Sequence, residues 1–237
     1  MSFFDLFSSK VTLRNSGLMT CSVDNHCHLL PGVDDGITKM ESTLSLLSSM
    51  EEAGVRECWF TPHIMEDIPN RTEMLKQRFD EVKAEYKGSV SLNLAAEYML
   101  DNLFSERLKA NDLLVHKNQS ILVESSCLVA PYGFESKLEE IKHAGYFPIL
   151  AHPERYVFLD KREYEKLKKM DVRFQLNITS LLGLYGPMVR DKAEFLLEKG
   201  MYNYVGTDTH RSDRWLQMLD QKLRKKHVDL LSYIINN

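Results

Sequence analysis

The residues best suited to chemistry are the eight histidines, His26, His28, His63, His116, His143, His152, His210 and His227. Five of them fall at, or just past, the end of a short apolar run. His26 and His28 stand in VDNHCH, His63 in TPH, His152 in AHPERY and His210 in GTDTH. Carboxylates share these places: Glu97, Glu124 and Asp208 end or follow such runs, and Asp34 and Asp35 sit in PGVDDG. Imidazoles mixed with carboxylates suit divalent cations of the Mn, Fe or Zn type. The four cysteines, Cys21, Cys27, Cys58 and Cys127, form no C-x-x-C pair, which argues against a closed structural zinc site and reads as thiols used for packing. The candidate ligands outnumber what one ion takes, so two or three ions are expected.

Elements that could gather these residues are legible in the apolar pattern. Strands are expected at 22–25, 57–61, 91–96, 120–124, 147–151, 173–177 and 202–206. Amphipathic helices are expected at 39–53, 71–87, 136–144, 161–170, 189–199, 214–222 and 223–234, several of them followed by glycine (Gly54, Gly88, Gly145, Gly200). Alternating strands and helices imply a mostly parallel sheet, and seven units suit an α/β fold of the distorted (β/α)7, TIM-like barrel type. No Gly-rich dinucleotide turn supports the doubly wound alternative. In a parallel barrel the C-terminal strand ends converge on one mouth, where chemistry is sited. On a strand His26 and His28 point to one face while Cys27 points away, and Asp208 and His210 repeat the arrangement. His116 reads as part of a polar turn, and His143 and His227 as residues of polar helix faces.

Composition narrows the class further. With 237 residues, 43% hydrophobic and 27% charged, the chain is ordinary globular protein. We expect one domain over 21–237 preceded by a loose arm over 1–20, whose Phe3, Phe4, Leu6 and Phe7 are apolar. A net charge of −4 provides no basic footprint for nucleic acid. No apolar run spans a membrane, and the basic residues near the start follow the apolar stretch, the reverse of a secretory signal, so a cytoplasmic location is expected. The basic opening of the last helix, Lys222-Leu-Arg-Lys-Lys226, reads as a solvated helix end rather than a membrane contact.

Asp24-Asn-His26-Cys-His28 followed by Pro31-Gly-Val-Asp-Asp-Gly36 resembles the opening of the PHP (polymerase and histidinol phosphatase) superfamily. Thr61-Pro-His63, Ala96-Glu97-Tyr98, Leu122-Val-Glu124, Leu150-Ala-His-Pro-Glu-Arg-Tyr156, Gln175-Leu-Asn177 with Ser180-Leu-Leu-Gly183-Leu-Tyr-Gly186, and Gly206-Thr-Asp208-Thr-His210 continue the likeness. It is greatest to the bacterial protein-tyrosine phosphatases of capsule and exopolysaccharide loci. The resemblance implies a distorted (β/α)7 barrel and three divalent metals, with Mn first and Fe or Zn as alternatives. His26, His28, Glu97 and Asp208 would hold the first; Glu97, Glu124 and His152 the second; Asp35, His63 and His210 the third. It also implies that Arg155 binds phosphate, with Arg214, or else Arg211, as a second phosphate ligand.

The implied reaction is phosphomonoester hydrolysis on the phosphotyrosine tail of a bacterial tyrosine kinase. Metal ions would lower the pKa of a bound water from about 15.7 toward about 7, and the resulting hydroxide would attack phosphorus. His210 or a metal-bound water would supply the leaving group's proton. A cysteine nucleophile is not indicated, because neither Cys27 nor Cys127 heads a C-x5-R loop. The helix after the first strand lacks the E-x-x-R pattern of ring-forming relatives, so a homo-oligomer stays an open alternative. The rival readings are a phosphoesterase for a small metabolite of the histidinol phosphate kind, and a non-catalytic metal-binding scaffold.

Overall fold

Long apolar runs dictate the centre of the molecule. In the computed structural model, which describes residues 9–20 and 22–236, SILVE and FPILA form strands that are buried almost throughout. That is the pattern of parallel strands covered on both faces. In chain order the elements are β1 (Lys10–Thr12), β2 (Val23–Cys27), α1 (Met40–Ala53), β3 (Glu57–Phe60), β4 (His63–Ile64), α2 (Thr72–Glu85), β5 (Ser91–Leu94), β6 (Glu97–Met99), α3 (Asn102–Ala110) and β7 (Ser120–Glu124). They continue with α4 (Phe134–His143), β8 (Phe147–Ala151), α5 (Lys161–Lys169), β9 (Arg173–Asn177), α6 (Ile178–Leu181), α7 (Pro187–Glu198), β10 (Tyr204–Gly206), α8 (Ser212–Leu219), β11 (Lys222–Arg224) and α9 (Lys225–Asn236).

The fold is mixed α/β. Its strands form a six-stranded parallel sheet, ordered β10-β9-β8-β7-β6-β4, and a three-stranded parallel sheet, ordered β2-β3-β5. Two of the expected strands, 57–61 and 91–96, are each followed by a further short strand not among those expected, β4 and β6. The Thr61-Pro62 step separates β3 from β4, because proline has no N–H for a ladder. The Ala95-Ala96 step separates β5 from β6. Backbone hydrogen bonds continue across both breaks, from Ala95 N to Phe60 O at 2.8 Å and from Glu97 N to Pro62 O at 3.1 Å. On the far side β2 meets the end of β10: Asp208 N donates to His26 O at 2.8 Å and His28 N to Thr209 O at 3.0 Å.

Helix α3 has no counterpart among the expected elements. It buries only Phe104, so its apolar periodicity is weak, and it is started by Asp101, whose side chain accepts from Phe104 N at 2.9 Å. The C-terminal helices also differ. Lys222–Arg224, expected wholly within the helices 214–222 and 223–234, is a strand because β1 pairs with it antiparallel. This pairing ties down residues 10–12, and Leu13, Leu18 and Met19 behind them are buried. That part of the segment read as a loose arm is therefore ordered against the domain; Phe3, Phe4, Leu6 and Phe7 lie outside the described residues. No helix of the described residues is long and apolar enough to cross a membrane.

Candidate metal centre

β2, β7, β8, β9 and β10 bring residues at or just past their C-terminal ends to one rim, β4 and β6 bring their first residues, His63 and Glu97, and there the imidazoles meet. His26 ends its ring on Gln175 of β9, with Nδ1 2.9 Å from Oε1; the amide is oriented by its own Nε2, which donates to Leu176 O at 2.6 Å. His28 Nδ1 lies 2.8 Å from Asp34 Oδ2. Both partners accept, so each ring carries its proton on Nδ1 and presents a lone pair at Nε2. The two Nε2 atoms face each other across 3.1 Å. Two lone pairs at that distance require a cation between or beside them. Glu97 Oε2 stands 3.1 Å from His26 Nε2, 3.2 Å from His28 Nε2 and 3.3 Å from His63 Nδ1, yet it is buried and accepts no hydrogen bond. Asp208 Oδ1 lies 3.5 Å from both Nε2 atoms. A donor set of two imidazoles and two carboxylates aimed at one centre fits a divalent metal ion.

Two neighbouring groups extend this one. His63, Glu97 and Glu124 form the second, with His63 Nδ1 3.1 Å from Glu124 Oε1. His152 Nε2 joins it at 3.0 Å from Glu97 Oε1 and 3.8 Å from Glu124 Oε2. Asp35, His63, His210 and His28 form the third, with Asp35 Oδ1 3.5 Å from His63 Nε2 and 3.4 Å from His210 Nε2. His210 is oriented by donating from Nδ1 to its neighbour Asp208 O at 2.9 Å. Every histidine and carboxylate singled out in the sequence as a ligand candidate therefore reaches this rim. His63 stands between two groups, one facing each ring nitrogen.

The electrostatics point the same way. The His26 Nε2 lone pair draws a proton as well as a metal ion: burial would depress its pKa, but Glu97 and Asp208 outweigh it and raise it to about 9, so the two cations compete for one place. Burial opposes charge on Glu97 too, and His26 and His63 still hold its carboxyl well below the usual range. Charged groups this deep survive only because opposite charges surround them. His152 and Asp208 have φ of 34° and 53°, left-handed values that cost non-glycine residues energy and mark positions held for function.

A layer of supporting residues escaped the sequence reading. Asp34, singled out in the sequence as a carboxylate of PGVDDG but not as a support, accepts from His63 N at 3.0 Å while orienting His28. Asn177 Nδ2 donates to Asp208 Oδ2 at 2.8 Å. Gln175 and Asn177 are two apart on β9, so both face the rim, the same signal that picked out His26 and His28. Asp24 accepts from Thr207 N and Thr207 Oγ1, at 2.9 and 2.6 Å, and locks β2 to the end of β10. Burial pushes the Asp24 carboxyl up to about 6. Glu154 of the HPERY string is fully buried and braces β9 and Tyr202 through Asn177 N and Tyr202 Oη, both at 3.0 Å.

Arg155 borders the centre. Its Nη1 donates to Asp208 Oδ2 at 3.0 Å, its guanidinium lies 4.7 Å from the centre of the Tyr185 ring, and its side chain keeps 27% exposure. Arg211 and Arg214 line a pocket of about 230 Å³ with Tyr185, Asp208 and His210. Arg211 is paired with Asp213 at 3.0 Å, and exposed Arg214 donates to Gln217 Oε1 at 3.1 Å. Among the remaining histidines, His143 is exposed on α4 as expected. His116 is no surface-turn residue: it is buried, stacked on Trp59 with ring centres 4.0 Å apart. His227 is buried as well, because the face of α9 that carries it packs inward. Cys27 and Cys58 are buried in contact with each other.

Comparison with known proteins bears on the whole chain. CapC of Staphylococcus aureus is 26% identical over 233 residues, covering 90% of this chain and 89% of that one. The tyrosine-protein phosphatase CpsB of Streptococcus pneumoniae is 25% identical over 211 residues, covering 81% and 84%. The fold matches a crystal structure from work on YwqE of Bacillus subtilis and CpsB of Streptococcus pneumoniae, described as metal-dependent tyrosine phosphatases, with a TM-score of 0.71, 21% identity and coverage of 90% and 91%. A family model for capsular polysaccharide synthesis proteins of the CpsB/CapC type matches residues 22–228. This chain belongs to the CpsB/CapC family.

Proposed function

We propose that the protein is a metal-dependent phosphomonoesterase that removes phosphate from tyrosine, with the phosphotyrosine tail of a bacterial tyrosine kinase of capsule or exopolysaccharide synthesis as its substrate. The observation that carries this reading is the single rim of four imidazoles and three carboxylates around His26 and Glu97, with Arg155 beside it. Family membership and the names of the relatives support the choice of tyrosine over a small metabolite.

In this reading His26, His28, Glu97 and Asp208 hold one divalent ion. Glu97, Glu124 and His152, with His63 alongside, hold a second. Asp35, His63 and His210 hold a third. Manganese is the first choice, with iron or zinc as alternatives. When bound, such ions make water nucleophilic at neutral pH and neutralise phosphate oxygens. The chain's own residues do the rest. Arg155 grips the phosphate with a planar fork that lysine cannot copy, and Tyr185 keeps its guanidinium flat against the rim. Arg214, or Arg211 once released from Asp213, reaches the ester from the pocket they share. His210 has its Nδ1 proton committed to Asp208 O and its Nε2 turned to Asp35, which suits a ligand better than a proton donor. Phenolate leaves with little help from an acid, so tyrosine esters suit a site built this way.

The same reading takes the two parallel sheets as one distorted (β/α)7 barrel over 21–237. The β2–β10 hydrogen bonds and those across the β3–β4 and β5–β6 breaks support that closure. It assigns the protein to the cytoplasm, where the kinase tail would lie, and leaves a homo-oligomer open. The deciding experiment compares turnover of a phosphotyrosine peptide with that of histidinol phosphate by protein reconstituted with manganese. Faster turnover of the peptide is expected; preference for the metabolite, or no turnover of either, overturns the proposal.

A further inference from the structure

The ends of the strands opposite the metal centre enclose a second pocket, of about 350 Å³. Val23, Arg173 and Tyr204, the first residues of β2, β9 and β10, contribute to it, as do Lys117 and Asn118 just before β7. Two of its cations make no direct ion pair. Lys117 and Arg173 are both half-buried, and among the described residues neither is paired with a carboxylate. Arg173 is held by neutral groups, donating from Nη1 to Ser120 Oγ at 2.6 Å and to Tyr204 Oη at 3.3 Å with its guanidinium over the Phe147 ring. The Lys117 ammonium lies over the Tyr204 ring, 5.2 Å from its centre. Burial lowers the Lys117 pKa, and only Glu57 opposes it, through a carboxylate already engaged by Trp59 Nε1 at 2.7 Å. Lys168, which donates to the pocket residue Asn203, is pushed down to about 8 by burial and by Arg173, with Asp171 opposing. Positive charge is therefore in excess here, in a protein of net charge −4.

In the same wall Asn25 is 93% buried; its Nδ2 donates to Val205 O at 2.9 Å, but its Oδ1 is buried with no hydrogen-bond partner. That oxygen is sealed from the pocket, so it is the half-buried cations that a bound negative charge would relieve. Pockets of this size take small molecules, and the flanking amides of Asn118 and Asn203 add polar contacts.

We propose that this pocket binds a small hydroxylated anion, of the sugar phosphate or sugar acid class, with its anionic group between Lys117 and Arg173 and its hydroxyls on the exposed amides of Asn118 and Asn203. The site is separate from the metal centre and lies at the other end of the same strands. Calorimetric titration of the metal-loaded full chain with glucose 1-phosphate and with glucuronate tests it. At least one probe should bind saturably, and whichever binds identifies the anion as phosphate or carboxylate. Lys117→Met and Arg173→Gln should each weaken that binding by about tenfold or more, while Arg155→Ala leaves it unchanged. Hydrolysis of an aryl phosphate should be the same in Lys117→Met as in wild type. Binding of neither probe overturns the proposal. So does binding that Lys117→Met leaves intact, or binding that Arg155→Ala abolishes, which would put the anion at the metal centre. Arg173 also braces Ser120 and Tyr204, so Lys117→Met, at a position with no such role, decides if Arg173→Gln fails to fold.

Discussion

His26 and His116 are both withdrawn from water, with exposures of 0% and 2%, and both are tied to the same stretch of β2, His116 through Nε2 and Asn25 O at 3.2 Å. Their pKa values nevertheless move apart. Burial and the Lys117 ammonium push His116 down to about 3. Burial acts on His26 in the same sense, but Glu97 and Asp208 carry it up to about 9. The difference teaches that depth alone makes an imidazole neutral; it is the ring of carboxylates that turns the C-terminal rim into a place for cations. The opposite end of the strands has the complementary imbalance, with Lys117 and Arg173 in no direct ion pair among the described residues, and on our proposal it takes an anion.

The comparison breaks most completely if the carboxylate common to the groups is neutralised. Glu97→Gln keeps the shape and removes the charge; hydrolysis should fall by more than about 10³-fold, with metal content lowered. His152→Ala should behave alike. Metal stoichiometry unchanged by both, measured by elemental analysis, would remove these residues from the ligand set. Arg155→Lys tests a residue of the rim that is no ligand: metals should stay, while kcat/KM on an aryl phosphate drops about 10²-fold because the bidentate contact is lost. Unaltered kcat/KM would make Arg155 only the partner of Asp208. Asp34→Asn removes the group that fixes the His28 tautomer, and metal affinity should fall by about 10- to 100-fold, as read from competition with a chelator.

The smallest effect concerns the other histidine. The folded pKa of His116 lies below its ordinary value of 6.5, so the unfolded chain takes up this proton first as pH falls. The stability linked to it is complete above about pH 6.5 and is lost as pH drops toward about 3, by up to about 1.4 kcal/mol per pH unit. His116→Gln should flatten that part of the pH dependence relative to wild type in urea unfolding at pH 7 and pH 5. Parallel slopes for the two proteins would show that His116 is already protonated in the folded state.

Local rules made much of the rim legible. A strand repeats every two residues, so His26 in β2 and His28 just past it share a face; Asp208 and His210 lie beyond β10, which ends at Gly206, and the left-handed turn at Asp208, not the strand period expected for them, places them at the rim. The apolar runs of β7 and β8, and the glycine breaks after α1 and α4 at Gly54 and Gly145, are likewise local signals. By contrast Asp34, Gln175 and Asn177 look ordinary in the sequence, and their role appears only when residues up to 149 positions apart come within hydrogen-bond distance, as His26 and Gln175 do. Helix α3 was hidden because its capping aspartate counts for more than its single buried phenylalanine.

By itself, then, the chain's own order determined the residue types at each strand end and the alternation that aims them, because both depend on neighbours one or two positions away. Only the tertiary structure decided that His63 serves two groups, that His227 turns inward, and that β1 closes on β11. Those outcomes depend on which distant surfaces pack together, and side-chain burial and hydrogen bonding across such distances leave no periodic trace along the chain.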